Sequence, residues 1–309
     1  MGLAEDLIEA FNAASGGPHR GARAAHAKGI VCDATFTATP EAAALTRALH
    51  MQGDPLDATV RFSNGNGNPT THDGHRDGRG MAVKLYLPDG SRTDIVCITL
   101  PSFFARIPED LLEFTRLRRP DPDTGEVDLE KVGAYLAAHP EALPAVQAAI
   151  GTGPPASYAQ CAYNSLHAFA FADSAGMRRF VRYRWQPEAG EAELDDAEAL
   201  ARSPDYLSEE MDERLARQPV VFHLVLRLAD PGDDVNDPTV AWPEGEREEI
   251  RAGRLEVTGL CQTRERDGDV LVFDPSRVPD GIELSEDPIL HARPPAYSVS
   301  VARRTSRAG

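Results

Sequence analysis

The chain has 309 residues, of which 41% are hydrophobic and 26% charged, a composition typical of an ordinary globular protein. Its 49 acidic and 32 basic residues give a formal net charge of −17, which repels phosphate backbones and anionic lipid headgroups, so we expect no nucleic-acid partner. The sequence shows no signal-peptide pattern and no apolar run of about 18 residues, so we expect a cytoplasmic protein that does not enter a membrane.

The cysteines lie far apart in the sequence, at Cys32, Cys97, Cys161 and Cys261. They form no CxxC or CxxCH motif and no His/Cys cluster at metal-ligand spacing. Neither a zinc site nor a covalently attached c-type haem is therefore indicated, and reduced thiols are expected.

The predicted elements alternate between the two periodicities. Apolar spacing from Leu3 to Phe11 predicts a short amphipathic helix that ends before Gly16-Gly17-Pro18. Alternating apolar residues then predict eight strands, at 59–63, 80–87, 93–98, 163–172, 177–185, 219–229, 254–261 and 269–273. Helical spacing predicts further helices at 41–51, 108–118, 128–139, 195–202, 208–217 and within 285–304.

Runs of strands with short turns between them, interrupted by helical insertions, predict an α+β protein. We expect an eight-stranded antiparallel β-barrel with surrounding helices, formed as a single domain over residues 1–309. Because side chains fill an eight-stranded barrel, a large ligand is expected at its mouth or wall, under the helices.

Three polar clusters could carry chemistry. His26 lies in RAAHAKG at 23–29, Ser63 ends VRFS at 60–63, and Arg293, Tyr297 and Arg304 share one face of the predicted last helix. A guanidinium held against a phenol favours the phenolate, a hard ligand for ferric iron. A structural histidine and an incidental tyrosine in a basic segment are the alternative interpretation.

The order of these stretches resembles the haem catalase superfamily from about residue 15 to residue 304. The matching motifs are RAAHAKG, VRFS, RDGRGMAVKLY at 76–86, DIVCITLPSFF at 94–104, HPEAL at 139–143, VAWPEGE at 240–246, FDPSRVPDGIE at 273–283 and RPPAYSVSVARR at 293–304. The short chain resembles the small catalase-related peroxidases in particular. We therefore expect it to lack the extra carboxyl-terminal helical domain of longer catalases.

The resemblance implies haem b, bound without covalent links. Tyr297 would be the axial iron ligand, and Arg293 would donate a hydrogen bond to it. Guanidinium groups suit the haem propionates, and by matched position these would be Arg23, Arg61 and Arg304.

On the distal side, the resemblance implies that His26 is the acid/base, that Ser63 orients its ring and that Phe104 lines the pocket. The family's distal asparagine falls on Thr99, whose hydroxyl reaches less far than an amide, so we expect weak dismutation of hydrogen peroxide. Pro294 and Pro295 remove helix hydrogen bonds and predict that the last helix begins or kinks just before Tyr297.

Together these features predict a haem peroxidase that reduces organic hydroperoxides, and also hydrogen peroxide, with a small organic electron donor. Two other functions stay open: rearrangement of a hydroperoxide without a reductant, as in allene oxide synthases, and non-catalytic haem binding. A homodimer is compatible with the family, whereas an interlocked tetramer is not expected.

Overall fold

The computed structural model describes residues 2–242, 245–261 and 270–305. Its strands are β1 (Gly29–Ala38), β2 (Leu56–Asn64), β3 (Arg79–Tyr86), β4 (Arg92–Ile98), β5 (Tyr163–Asn164), β6 (Phe169–Ala172), β7 (Arg178–Pro187), β8 (Val220–Leu228), β9 (Glu249–Leu260) and β10 (Ile282–Leu284).

The α-helices are α1 (Leu3–Ala14), α2 (Pro40–Ala43), α3 (Pro108–Leu117), α4 (Leu129–Ala138), α5 (Leu143–Gly151), α6 (Asp196–Ala201), α7 (Tyr206–Leu215) and α8 (Pro288–Thr305). Short 3₁₀ helices occur at Leu49–Met51, Pro140–Ala142 and Tyr158–Gln160. Among the described residues, the helices are all too short or too polar to cross a membrane.

Eight antiparallel strands close into a barrel in the order β7, β5, β4, β3, β2, β1, β9 and β8, and β8 pairs back with β7. Strands β6 and β10 continue the sheet outward from β7. The prediction of an eight-stranded antiparallel barrel with surrounding helices is confirmed.

Large side chains fill the barrel interior. Phe62 on β2 packs against Tyr158 and Phe222, with ring centroids 5.7 Å and 5.8 Å apart, and Trp185 meets Phe36 edge-on at 6.0 Å. Because these side chains are buried and in contact, the interior has no space for a large ligand. Polar residues of β2 and β3 that alternate with them point outward, under the helices.

Several predicted elements were wrong in extent. The strand predicted at 163–172 is split into β5 and β6, because Ser165 Oγ accepts a hydrogen bond from Tyr183 N and donates one to the His167 carbonyl. Residues 270–273 of the last predicted strand are not in a strand, and residue 269 lies outside the described residues. The helix predicted at 41–51 is interrupted where Thr46 donates its hydroxyl to the Gly281 carbonyl. Strands β1 and β10 and helix α5 were not predicted.

Candidate active site

One row of residues crosses the outer face of the barrel. Ser63 on β2 lies opposite Gly80 on β3, and Gly80 lies opposite Ile98 on β4. Their neighbours Phe62 and Met81 are buried in the barrel core, so by strand alternation the row itself faces the helices.

His26 lies over this row, in the segment that precedes β1. A Cβ atom on residue 80 would lie 2.9 Å from both His26 Nδ1 and Ser63 Oγ, so only glycine leaves room for the ring there. His26 Nδ1 is 3.1 Å from Ser63 Oγ, within hydrogen-bond distance.

The backbone of His26 is held in an unusual conformation. Its φ angle is +55°, in the left-handed region that residues other than glycine rarely adopt. Its N–H donates to the Gly65 carbonyl at 3.0 Å, and its carbonyl accepts from Arg61 Nη2 at 2.9 Å. These contacts fix the direction of the ring before any ligand binds.

Burial, followed by the charges of Arg61, Arg293 and Arg23, lowers the pKa of His26 to about 3. The imidazole is therefore neutral at ordinary pH and can accept a proton. Its Nε2 makes no hydrogen bond within the described part of the chain, which leaves that nitrogen for a ligand.

Arg293 and Tyr297 lie one turn apart on α8. Arg293 donates to the Tyr297 phenol oxygen from Nε at 2.9 Å and from Nη2 at 2.6 Å. Helix α8 runs through Pro294 and Pro295 from Pro288 to Thr305, so the prediction that it begins at the prolines was wrong, while the alternative of a kink there stays a prediction. The helix keeps the spacing that sets the phenol beside the guanidinium.

Behind this pair lies a buried chain of hydrogen bonds that the sequence analysis missed. Arg293 Nη1 is 2.9 Å from His167 Nε2, and His167 Nδ1 is 2.6 Å from Asp287 Oδ2. Since a guanidinium only donates, Nε2 accepts and Nδ1 carries the proton. Burial lowers the pKa of His167, which favours this neutral form. His167 and Asp287 together hold the Arg293 guanidinium against Tyr297.

The three arginines predicted to hold carboxylates fall into two groups. Arg23 Nη2 and Arg304 Nη2 donate to the same carbonyl, that of Leu271, at 3.0 Å and 2.8 Å. Arg61 lies on the outer face of β2 and donates to the carbonyls of His26 and Ala27. The concentration of positive charge at Arg23 and Arg304 suits an anionic group.

Thr99 does not join the His26 cluster. Its hydroxyl accepts a hydrogen bond from Arg79 N–H at 3.0 Å, and its own N–H donates to the Arg79 carbonyl at 2.9 Å. The residue that shares the outward row with Ser63 and Gly80 is Ile98. We therefore correct the sequence-based assignment: an isoleucine, not Thr99, flanks the site on β4.

Phe104 lies partly buried in the loop after β4. Its ring is 4.3 Å from that of Phe103 and 5.1 Å from that of Phe114 on α3, between ring centroids. Together these rings form an aromatic wall under α3.

The residues present fit a haem. The phenol oxygen of Tyr297 is an iron ligand of a type that haem proteins use. The guanidinium groups of Arg23, Arg61 and Arg304 are of the type that binds carboxylates such as the two haem propionates. A cavity of about 1100 Å³ lies between α1, the segment 119–122 and the end of α8, and Ala24 and Arg304 line it. Of the predicted site residues, Arg304 lines this cavity whereas His26, Arg293 and Tyr297 do not, so the cavity adjoins the site rather than forming it.

The comparisons with known proteins agree with this fit. The family model described as Catalase matches residues 19–308. The catalase-related peroxidase of Mycolicibacterium paratuberculosis is 41% identical over 94% of this chain and 91% of its own length. That of Synechococcus elongatus is 32% identical over 98% of this chain and 89% of its own length.

A solved fungal catalase superposes with a TM-score of 0.83 at 24% identity, over 93% of this chain and 59% of the catalase. The chain thus spans about three fifths of the length of that catalase. Fold and site define a haem-dependent oxidoreductase. The chain belongs to the catalase family, whose members bind haem.

Proposed function

We propose that this chain is a peroxidase that reduces organic hydroperoxides, and hydrogen peroxide, with a small organic electron donor. The balanced reaction is ROOH + AH₂ → ROH + H₂O + A, where AH₂ is the donor. The names of the two catalase-related relatives support a peroxidase activity.

The observation that carries the proposal is the neutral His26 ring, held by Ser63 over Gly80. When bound, haem would supply the redox chemistry by which two electrons pass from the donor to the peroxide. His26 Nε2 would accept the proton from one peroxide oxygen and return it to the departing oxygen. Ser63 keeps the ring in the direction that this transfer needs.

Tyr297 would supply the iron ligand. The two N–H groups that Arg293 donates to the phenol oxygen would hold that oxygen in position as the ligand. Arg23, Arg61 and Arg304 would bind the propionates.

We propose haem b, held without thioether links. Cys97 is the cysteine next to the site in sequence, and it packs in the barrel core rather than on the outward face. Burial raises the pKa of this thiol, which makes it a poor nucleophile.

Weak dismutation follows from the residues beside His26. Oxidation of a second hydrogen peroxide requires that molecule to be oriented, and Ile98 has no hydrogen-bonding group. The Thr99 hydroxyl already accepts from Arg79 N–H. An organic donor, by contrast, needs no second polar side chain at this position.

The test is product stoichiometry with the haem-loaded chain, cumene hydroperoxide and a phenolic donor. We expect one cumyl alcohol for each two-electron oxidation of donor, with little oxygen released. His26→Ala should keep haem and cleave the hydroperoxide at least 100-fold more slowly, on the order of what general acid–base catalysis contributes. His223→Ala, on the outer face of β8, is the matched control and should be unchanged.

Other outcomes contradict the proposal. Hydroperoxide consumption without donor oxidation would indicate a rearranging enzyme. Haem binding with no His26-dependent cleavage would indicate a non-catalytic haem protein.

A further inference from the structure

The cavity of about 1100 Å³ between α1, the segment 119–122 and the end of α8 is rich in arginine. Four arginines line it, namely Arg20, Arg119, Arg303 and Arg304, and we call it the arginine cavity. The chain as a whole carries a net charge of −17, so most of its surface repels anions. Four guanidinium groups around one cavity make it a local exception to that surface.

The carboxylates that line the arginine cavity leave much of this positive charge uncompensated. Glu9 on α1 accepts a hydrogen bond from Arg303 Nη2 at 3.1 Å, so these two charges offset each other. Asp121 accepts the backbone N–H groups of Asp123 and Thr124, at 2.9 Å and 3.0 Å. The Asp121 carboxylate therefore closes its own turn rather than pairing with an arginine.

Arg20 and Arg119 keep their charges available to a ligand. Arg20 lies between α1 and β1, and Arg119 lies in the loop after α3. Both side chains are exposed, and within the described part of the chain neither guanidinium forms a hydrogen bond or an ion pair. The fold thus brings two unpaired cations from separate segments to the same cavity.

Arg304 connects the arginine cavity to the proposed haem site. Its Nη2 donates to the Leu271 carbonyl at 2.8 Å, and Arg23 Nη2 donates to the same carbonyl at 3.0 Å. Both arginines are assigned to the haem propionates, and Ala24, the neighbour of Arg23, also lines the cavity. A ligand in the cavity would therefore lie beside the propionate-binding arginines, whereas His26 does not line the cavity.

This position suits the electron donor rather than the hydroperoxide. The hydroperoxide must come within hydrogen-bond distance of His26, because a proton moves between them. A donor that releases its protons to water needs only to come near the redox centre, since electrons pass without contact between the reacting atoms. A cavity that adjoins the haem site without including His26 meets the second requirement and not the first.

We infer that the arginine cavity binds an organic anion that serves as the electron donor, with its carboxylate at Arg20 and Arg119. A dihydroxyaromatic carboxylate is a donor of this class. Its carboxylate suits guanidinium groups, and its ring suits the apolar part of the lining, which includes Ile8, Pro18 and Pro120. It loses two electrons and two protons to become a quinone, and the hydroperoxide takes up two electrons and two protons to become alcohol and water. This inference rests on the proposed peroxidase function and names the class of donor.

Binding in the absence of peroxide tests the site apart from turnover. Calorimetric titration of the haem-loaded chain compares caffeate with methyl caffeate, which has the same dihydroxyaromatic ring without the charge. We expect Arg20→Gln and Arg119→Gln each to weaken caffeate binding about threefold, and the double variant about tenfold, on the scale of exposed ion pairs. Methyl caffeate should bind all of these proteins equally. Arg217→Gln, which changes an exposed arginine outside the cavity lining, is the control and should alter neither affinity.

Turnover then shows whether the bound anion is the donor. With cumene hydroperoxide in excess, we expect the double variant to lower kcat/KM for caffeate about tenfold and to leave that for methyl caffeate unchanged. With methyl caffeate in excess, kcat/KM for cumene hydroperoxide should be equal in both proteins, since His26 lies outside the cavity lining. Haem absorbance per chain should also be equal. Added salt should reduce the preference of the wild type for caffeate.

The failures are distinguishable. Equal binding of caffeate by the wild type and the double variant, or an equal loss for both donors, would overturn the site. Weaker binding of caffeate with unchanged kcat/KM would overturn its assignment to the donor. In each case oxidation of methyl caffeate by the wild type would leave the peroxidase function standing. A wild type that oxidises neither donor with hydroperoxide would overturn the proposed function and this inference together.

Discussion

Arg293 and Tyr297 keep two hydrogen bonds, of 2.9 Å and 2.6 Å, across the two prolines that separate them on α8. Pro294 and Pro295 lack the N–H groups that would bond to carbonyls one turn earlier, so this turn of the helix is weakened. The guanidinium does not depend on that turn alone, because His167 accepts its third bond. Contacts from outside the helix therefore compensate for the weakened turn.

Asp287 should support both the helix and this network. Its Oδ1 accepts from Ile289 N–H at 2.8 Å at the start of α8, while its Oδ2 binds His167. We expect Asp287→Ala to lower the free energy of unfolding by about 3 kcal/mol, since it removes a helix cap and leaves the buried Nδ1–H of His167 without an acceptor.

Urea unfolding measures this loss. The control is Asp280→Ala, which breaks the exposed ion pair with Arg47 and should change little. Equal effects of the two substitutions would show that Asp287 does not anchor the proximal network.

Gly80→Ala should displace His26 without removing it. The new methyl group would lie 2.9 Å from His26 Nδ1 and Ser63 Oγ, so the ring must shift. We expect kcat for hydroperoxide cleavage to fall about tenfold or more, because proton transfer depends on position, with haem content retained. Gly259→Ala, on β9 with no atom within 4 Å of the added methyl, should behave as wild type. Unchanged kcat in Gly80→Ala would contradict the geometry at His26.

Ile98→Asn should raise oxygen release from hydrogen peroxide. An amide on the outward row, next to Gly80, adds a donor where the wild type has only methyl groups. One added hydrogen bond corresponds to an increase of about threefold to tenfold. Thr99→Asn is the comparison, since the side chain at 99 is directed to Arg79 N–H, and it should not increase oxygen release. The reverse result, a gain only in Thr99→Asn, would restore the sequence-based assignment.

His50 should make the fold sensitive to acid. Its ring is buried and neither nitrogen has a hydrogen-bond partner within the described chain. Burial lowers the pKa of His50 from 6.5 to about 4, so the unfolded chain binds a proton that the folded chain refuses. The contribution of His50 to stability is then constant above about pH 7, falls as the pH drops from 6.5 to about 4, and changes no further below that.

The size of this effect can be isolated by substitution. When the pH is lowered from about 7.5 to about 5, the free energy of unfolding of the wild type should fall by about 2 kcal/mol more than that of His50→Leu. Urea unfolding of both proteins measures this difference. His26 titrates in both proteins and cancels in the difference. Parallel pH dependences would mean that His50 is not the buried group responsible.

The barrel was predictable because its central strands alternate clearly. On β3, Met81, Val83 and Leu85 face the barrel core, and their spacing of two residues is visible in the sequence. Strand β1 escaped because its inward positions include small residues such as Cys32 and Ala34, which give a weak hydrophobic pattern. The inward and outward residues of β1 do alternate in the sequence, but the difference in hydrophobicity between them is small.

Candidate site residues could be named from the sequence where they lie within a local motif. They could not be named where the fold brings together residues that are far apart in the chain. His167 and Asp287 are 120 residues apart, and no local pattern joins them. The choice between Ile98 and Thr99 could have been made from sequence, since Ile95 and Cys97 face inward and alternation turns Ile98 outward.

The ultraviolet-visible spectrum of the haem-loaded chain, compared between wild type and Tyr297→Phe, tests the central claim most directly. If Tyr297 holds the iron with the help of Arg293, the wild type shows a high-spin ferric spectrum of the tyrosinate type, and Tyr297→Phe loses it. His26→Ala should keep that spectrum, because His26 is proposed to move a proton and not to bind the iron. Identical spectra for wild type and Tyr297→Phe would contradict the assignment of Tyr297 as the iron ligand.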